Sequence, residues 1–190
     1  PAGGTTWLRP ATVHDFDDGD NFPEFASSSA STYSVYQPDA TVFWSAPVQD
    51  NSGIAAGTAF DFLGDGGAEA MYTDEVAMYV FDESGDVLLQ VPRGSGTLSE
   101  YPIVVDVDND GSSEILFVSN SGNAPTLQVT KEVEDRWIQS RRIWNQHTYH
   151  VTNVREDSTI PQFEAPHWEL LNTFRTNAQI EGGGICEPAQ

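Results

Sequence analysis

Short runs in which apolar and polar residues alternate, broken by Gly, Pro, Asp and Asn, recur along the chain. "STYSVYQPDATVFWS" and "EVAMYVFDESGDVLLQV" each read as two strands around a turn, with Pro38-Asp39 and Ser84-Gly85-Asp86 supplying the turn chemistry. Other β-type runs, "ATVHDF", "GTAFDF", "PIVVDV" and "YHVTNV", each lead into a polar loop. After the first three loops a second apolar run leads out: "EFASSS", "EAMYT" and "EILFVS". No stretch of helical periodicity is long enough to rival these strands. The pattern predicts an all-β fold.

The loops themselves form a series. Residues 106–114 read "DVDNDGSSE", with acids at alternate positions, a glycine, and a closing glutamate. Residues 61–69, "DFLGDGGAE", keep Asp61, Asp65, Gly66 and Glu69 but carry Leu63 where the middle aspartate belongs. Residues 15–24, "DFDDGDNFPE", keep Asp15, Asp17, Asp20 and Glu24 around one inserted residue. A fourth, degenerate member, "NVREDSTIP" at 153–161, holds Asn153 and Asp157 in register but has Arg155 and Pro161 in place of acids. The loops start at 15, 61, 106 and 153, a period of roughly 46 residues. About four repeats of four antiparallel strands predict β-propeller blades over residues 1–178, followed by a tail at 179–190.

The chain carries 29 Asp and Glu against eight Lys and Arg, a formal charge of −21, and Lys131 is its single lysine. Such a surface repels nucleic acid phosphates and anionic lipid, so both are poor partners. Cations, basic proteins and neutral sugars fit it better. Five Trp, six Tyr and ten Phe spread along 190 residues argue against disorder and for a packed core. The lone cysteine, Cys186, has no partner for an internal disulfide. No run of about 20 apolar residues offers a membrane span. The opening "PAGGTTWLRP" reads as an interior or processed start, not a signal peptide.

Crowded carboxylates repel one another, and a calcium ion is the cation that suits them. Ca2+ takes about six to eight oxygens, from carboxylates and backbone carbonyls. In the 106–114 loop, Asp106, Asp108, Asp110 and Glu114 with the Ser112 carbonyl make a complete ligand set around a turn that Gly111 permits. Asp15, Asp17, Asp20 and Glu24 make a second set. Asp61, Asp65 and Glu69 make a weaker one, lacking a ligand at Leu63, and the Arg155 loop reads as a metal-free turn. The spacing is like the first half of an EF-hand loop, but the final acid stands at position 9 instead of 12 and a strand leads in where a helix is required. Mg2+ fits less well, because it retains several waters.

These loops resemble the calcium loops of FG-GAP/VCBS repeats, the blades of integrin α-subunit-like propellers. Longer stretches, "YSVYQPDATVFWSAPVQD", "FDFLGDGGAEAMYTDE", "EYPIVVDVDNDGSSEI", "RRIWNQHTYHVTNVREDSTIP" and "NTFRTN", are similar to terminal repeats of large secreted or surface-bound bacterial proteins of that kind. The resemblance runs from about Ala11 to Asn177. It implies a propeller, bound calcium and an extracellular or cell-surface location, with an adhesive, surface-structural or assembly role. Propellers of that family have more blades than this chain supplies. Either missing blades, from a longer polypeptide or from other chains in an oligomer, complete it, or an unusual small closure occurs; open strand edges make tight contact with other protein the expectation.

Other constellations carry less. His147 and His150 lie three apart, which on a strand sends them to opposite faces, while His14 and His167 look isolated; a structural role is expected for all four. The acids outside the loops include Asp74, Glu75 and Glu100, and Asp74-Glu75 reads as the end of a strand. No nucleophile elbow or phosphate loop occurs. Trp7, Trp44, Trp137 and Trp168 are read as core. The expectation is a non-enzymatic module, with a lectin-like sugar-binding module as the alternative and a polysaccharide lyase or hydrolase as a more distant one.

Overall fold

The computed structural model describes residues 9–17, 19 and 22–180. The chain folds into three antiparallel meanders. The first sheet comprises β1 (Thr12–His14), β2 (Glu24–Ser28), β3 (Thr32–Tyr36) and β4 (Val42–Pro47), paired in chain order. The second repeats that plan with β5 (Gly57–Phe60), β6 (Glu69–Thr73), β7 (Ala77–Phe81) and β8 (Val87–Pro92). The third has β9 (Ile103–Val105), β10 (Glu114–Val118) and β11 (Leu127–Thr130). Only a 3₁₀ turn at Val151–Asn153 and the four-residue α1 (His167–Leu170) are helical among the described residues.

In each meander the last strand is the most exposed. All four residues of β5 are buried, whereas β4 and β8 expose most of theirs. β5 packs against β1 and β2 on one side and β9 on the other. The second sheet is thus covered on both faces, which explains why β6 and β7 are apolar at nearly every position instead of alternating. Ala70, Tyr72 and Phe81 turn toward the first sheet, where Tyr33 stacks on Tyr72 at 4.8 Å and Trp44 meets Phe81 at 5.6 Å. Met71, Met78 and Val80 turn the other way, onto Val104, Ile115, Phe117 and Ile138.

The turns follow the sequence. Asp82 Oδ1 accepts hydrogen bonds from the amides of Ser84 and Asp86 at 2.8 and 2.9 Å, closing the β7–β8 hairpin. Gly85 sits there at φ +81°, and a Cβ on it would lie 2.7 Å from the Trp44 ring. Left-handed backbone and contact between the sheets both demand glycine at this position. Asp74 also builds a turn, since its Oδ1 accepts from the Val76 and Ala77 amides at 2.8 and 2.9 Å.

The predicted four blades of four strands require correction. The described residues form sheets of four, four and three strands, and these do not close into a ring. The "YHVTNV" run, expected to be a strand, is instead the 3₁₀ turn. There the Asn153 side chain competes for the backbone, with Nδ2 donating to the Thr148 carbonyl at 2.9 Å and Oδ1 accepting from the His150 amide at 3.3 Å. The 153–161 segment folds as a turn held by the Arg155–Thr159 and Ser158–Arg155 backbone bonds and by Asp157 accepting from Thr159.

β1 and β5 are also less bare than their sequence implies, because residues 174–180 run across them as a strap. Phe174 exchanges two 2.9 Å backbone bonds with Val13 of β1, and the Ala59 amide of β5 donates to the Arg175 carbonyl at 3.2 Å. Further along, the Arg141 amide donates to Ala178 at 2.8 Å and the Ile180 amide to Gln139 at 2.8 Å. The predicted boundary at 178 therefore falls inside a structured segment; residues 181–190, Cys186 among them, lie outside the described residues. Within the strap Arg175 is almost fully buried, its guanidinium 4.8 Å from the Tyr101 ring centre.

Candidate functional site

The acidic loops connect the first strand of each meander to the second. In all three, the amide at loop position 2 donates to Oε2 of the closing glutamate. The pairs are Phe16 to Glu24 at 2.9 Å, Phe62 to Glu69 at 3.0 Å and Val107 to Glu114 at 2.7 Å. Loops two and three also share their backbone path. Position 4 is left-handed in both (Gly64 at φ 71°, Asn109 at φ 63°), as is position 6 (Gly66 at φ 108°, Gly111 at φ 95°). The amide of position 4 donates to Oδ1 of position 1 at 2.6 Å in both, Gly64 to Asp61 and Asn109 to Asp106. One folded loop is therefore used repeatedly.

The structure gathers some of the predicted ligands and separates others. In loop three, Asp106, Asp108 and Glu114 each offer a carboxylate oxygen within 4.8 Å of the other two. Asp110 does not join them; its Oδ2 takes the Lys131 ammonium at 2.9 Å, which holds its carboxyl below the usual carboxylate range. Ser112 is buried, and its amide donates to Asp110 at 2.9 Å. In loop one, Asp15, Asp17 and Glu24 form the same kind of triad. Asp20 lies outside the described residues. In loop two, Asp61, Asp65 and Glu69 do not converge as a triad. Asp61 spends its oxygens on the Gly64 and Gly66 amides at 2.6 and 3.1 Å.

The two triads carry a further mark. Glu24 and Glu114 are 0 % and 1 % exposed, and each has Oε2 bonded while Oε1 lacks a hydrogen-bond partner among the described residues. A buried carboxylate oxygen without a donor is costly. Ionised oxygens at such separations also repel by about 3 kcal/mol per pair at an effective dielectric of 20. Burial pushes the Glu24 carboxyl up to about 7, and Asp17 and Asp15 push it the same way. Burial likewise raises Glu114, helped by Asp108, Asp110 and Asp106, and lifts Glu69 to about 7. Lys131 reaches the exposed rim of loop three, Asp110 and, at 3.9 Å, Asp108. No bond from it to the buried Glu114 oxygen is present. Both triads thus have the donor set, and the unmet oxygen, that a hard cation requires.

The pH consequence follows. A glutamate whose carboxyl sits near 7 in the metal-free fold, against 4.5 ordinarily, takes up its proton more readily folded than unfolded. Its contribution to metal-free stability is complete below about pH 4.5 and lost as pH rises through about 7. The half-buried His14 and the buried His167, both lowered from 6.5 by desolvation, act in the opposite direction, so net stability is a poor reporter. Calcium affinity is a direct one. A calcium ion taken up at loop one would displace the Glu24 proton, so its apparent affinity is expected to weaken about tenfold from pH 8 to pH 6, measured by calcium titration.

Comparison with known proteins corrects the family reading. No protein-family model matches the chain, and no curated protein matches it. A crystal structure of the V. cholerae biofilm matrix protein Bap1 does: TM-score 0.78 and 27% identity over 89% of this chain. The chain resembles part of a biofilm matrix protein. It spans 28% of that protein's length. The FG-GAP/VCBS resemblance does not stand: the likeness found is to Bap1, and the fold is three small sheets without closure. The short Asp/Gly loops that suggested it are a local solution to turning between two strands around carboxylates, and they do not define a family.

Two features escaped the sequence. Trp168, read as core, is 70% exposed and lines a cavity of about 590 Å³ together with His14, Asp15, Asp61, Asn172 and Asn177. His167, read as isolated, stands with His150 and Glu164, one donor atom of each within 4.8 Å of the others. Glu164 and His167 lie three residues apart at the entry to α1, while His150 stands 14 residues before Glu164 beside the 3₁₀ turn, a spacing that does not announce the cluster.

Proposed function

We propose that this chain is a calcium-stabilised, non-catalytic module of an extracellular protein, with an adhesive or matrix-structural role. The observation that carries the role is the likeness to Bap1, a biofilm matrix protein, over 89% of the chain. The unmet Oε1 atoms of Glu24 and Glu114 support the calcium part. Absence of any helix long and apolar enough to cross a membrane, among the described residues, accords with an extracellular location. In this reading the three meanders are blades, with β1, β5 and β9 innermost. Further protein, from the same polypeptide or from another chain, completes a propeller by packing beside them. Calcium holds the loops that join inner strands to their neighbours, so the face they form keeps one shape.

A sugar-binding role has one observation in its favour. Exposed Trp168 rims the 590 Å³ cavity beside Asp15, Asp61 and Asn177, an aromatic platform next to polar groups. The test is retention of the immobilised chain by matrix polysaccharide and by cells. Retention is expected to be calcium-dependent and lost on chelation. Equal, negligible retention with and without calcium would overturn the role. Loss of retention in Trp168→Ala with calcium binding intact would assign it to the sugar reading.

A further inference from the structure

Beside α1 lies a second cavity, about 320 Å³, walled by Val13, Trp168 and Phe174 and lined also by His150, Glu164 and His167. We propose that these last three form a binding site for a zinc ion, separate from the carboxylate loops, with its fourth coordination position open to the cavity. Their donor atoms lie within 4.8 Å of one another, and His150 Nε2 is 2.6 Å from Glu164 Oε1. A tetrahedral zinc with ligands at its usual 2.0–2.2 Å needs donors about 3.4 Å apart, which small side-chain movements supply. The two imidazole rings lie 4.7 Å apart, and each has a nitrogen within 4.8 Å of a Glu164 carboxylate oxygen.

The surroundings orient the donors. His150 Nδ1 is engaged by the backbone side of its loop, 3.1 Å from Asn153 Nδ2 and 3.3 Å from the Thr148 carbonyl, which turns Nε2 toward Glu164 and the metal position. Thr152 Oγ1 bonds Glu164 Oε1 and lies 2.9 Å from His167 Nδ1, while His167 Nε2 is 3.3 Å from Thr173 Oγ1. No Lys or Arg lines the cavity among the described residues, so nothing there repels a dication. Two imidazoles and a carboxylate select a transition ion over Ca2+ or Mg2+, whose ligands are oxygens. A simple His150–Glu164 ion pair would not require the second imidazole. The open position, facing aromatic walls, suits water or a carboxylate from a bound molecule.

The test uses Zn2+ in competition with a chromophoric chelator, and Co2+ as a spectroscopic probe, on the full chain. One equivalent of Zn2+ is expected, with an intense visible Co2+ spectrum of the tetrahedral kind. His150→Ala and Glu164→Gln should each weaken Zn2+ binding at least tenfold, while His147→Ala, outside the cluster, leaves it unchanged. Because both altered side chains are partly exposed, far-UV circular dichroism and calcium binding are expected to stay as in the parent chain. Zinc affinity unchanged by His150→Ala and Glu164→Gln would overturn the site, as would a weak, six-coordinate Co2+ spectrum.

Discussion

Replacing Asn177 by alanine is expected to cost about 3–5 kcal/mol, more than any exposed loop substitution, because it leaves several buried polar groups unpaired at once. The Asn177 amide donates to the Val104 and Arg141 carbonyls at 2.8 and 2.6 Å. Its Oδ1 accepts from the Tyr149 hydroxyl at 2.7 Å and from the Ala178 amide at 2.9 Å. One side chain thereby fastens the strap to β9, to the Arg141 segment and to Tyr149, all of them buried. Each group stranded in the interior costs about 1–3 kcal/mol, and water reaching the gap recovers part of that. Urea unfolding followed by tryptophan fluorescence measures the loss. A cost below about 1 kcal/mol would mean that the strap does not bind the inner strands together.

The second large effect concerns calcium. Saturation at about a hundred times the dissociation constant is expected to add roughly 2.7 kcal/mol per site. Asp108→Asn separates ligand loss from damage to the fold. Asp108 is exposed, and among the described residues the one backbone amide that donates to it does so at a long 3.3 Å, from Asp110. The variant is therefore expected to melt like the parent in chelator and to fall behind it in calcium by one site's share. Thermal melts of both proteins, with and without calcium, give the four values required. If the variant is destabilised equally in chelator, Asp108 serves the turn and not an ion.

What could be read from the chain and what could not divide along physical lines. Strands and loops were legible because they rest on local signals. Alternation places β3, β4, β7 and β8, and the glycines at loop position 6 mark a left-handed backbone that repeats at Gly66 and Gly111. The closing glutamates were legible for the same reason, though burial of their side chains was not. Distant groupings were hidden. The strap pairs residue 174 with 13 and 176 with 59, and nothing in "NTFRTN" specifies those partners. Lys131 draws Asp110 out of the third ligand set from 21 residues away, a choice made by the β10–β11 hairpin and not by the loop. The missing fourth sheet has a similar cause. "YHVTNV" has the composition of a strand, yet Asn153 bonds its neighbours and turns it.

The most direct test of calcium as the clamp of these loops is equilibrium dialysis of the full chain against radioactive calcium at pH 8. Loops one and three hold converging carboxylates and buried, unmet glutamate oxygens; loop two holds neither. Two ions per chain are expected, falling to one in Asp108→Asn. No bound ion at millimolar calcium, or a count that Asp108→Asn leaves unchanged, would contradict it.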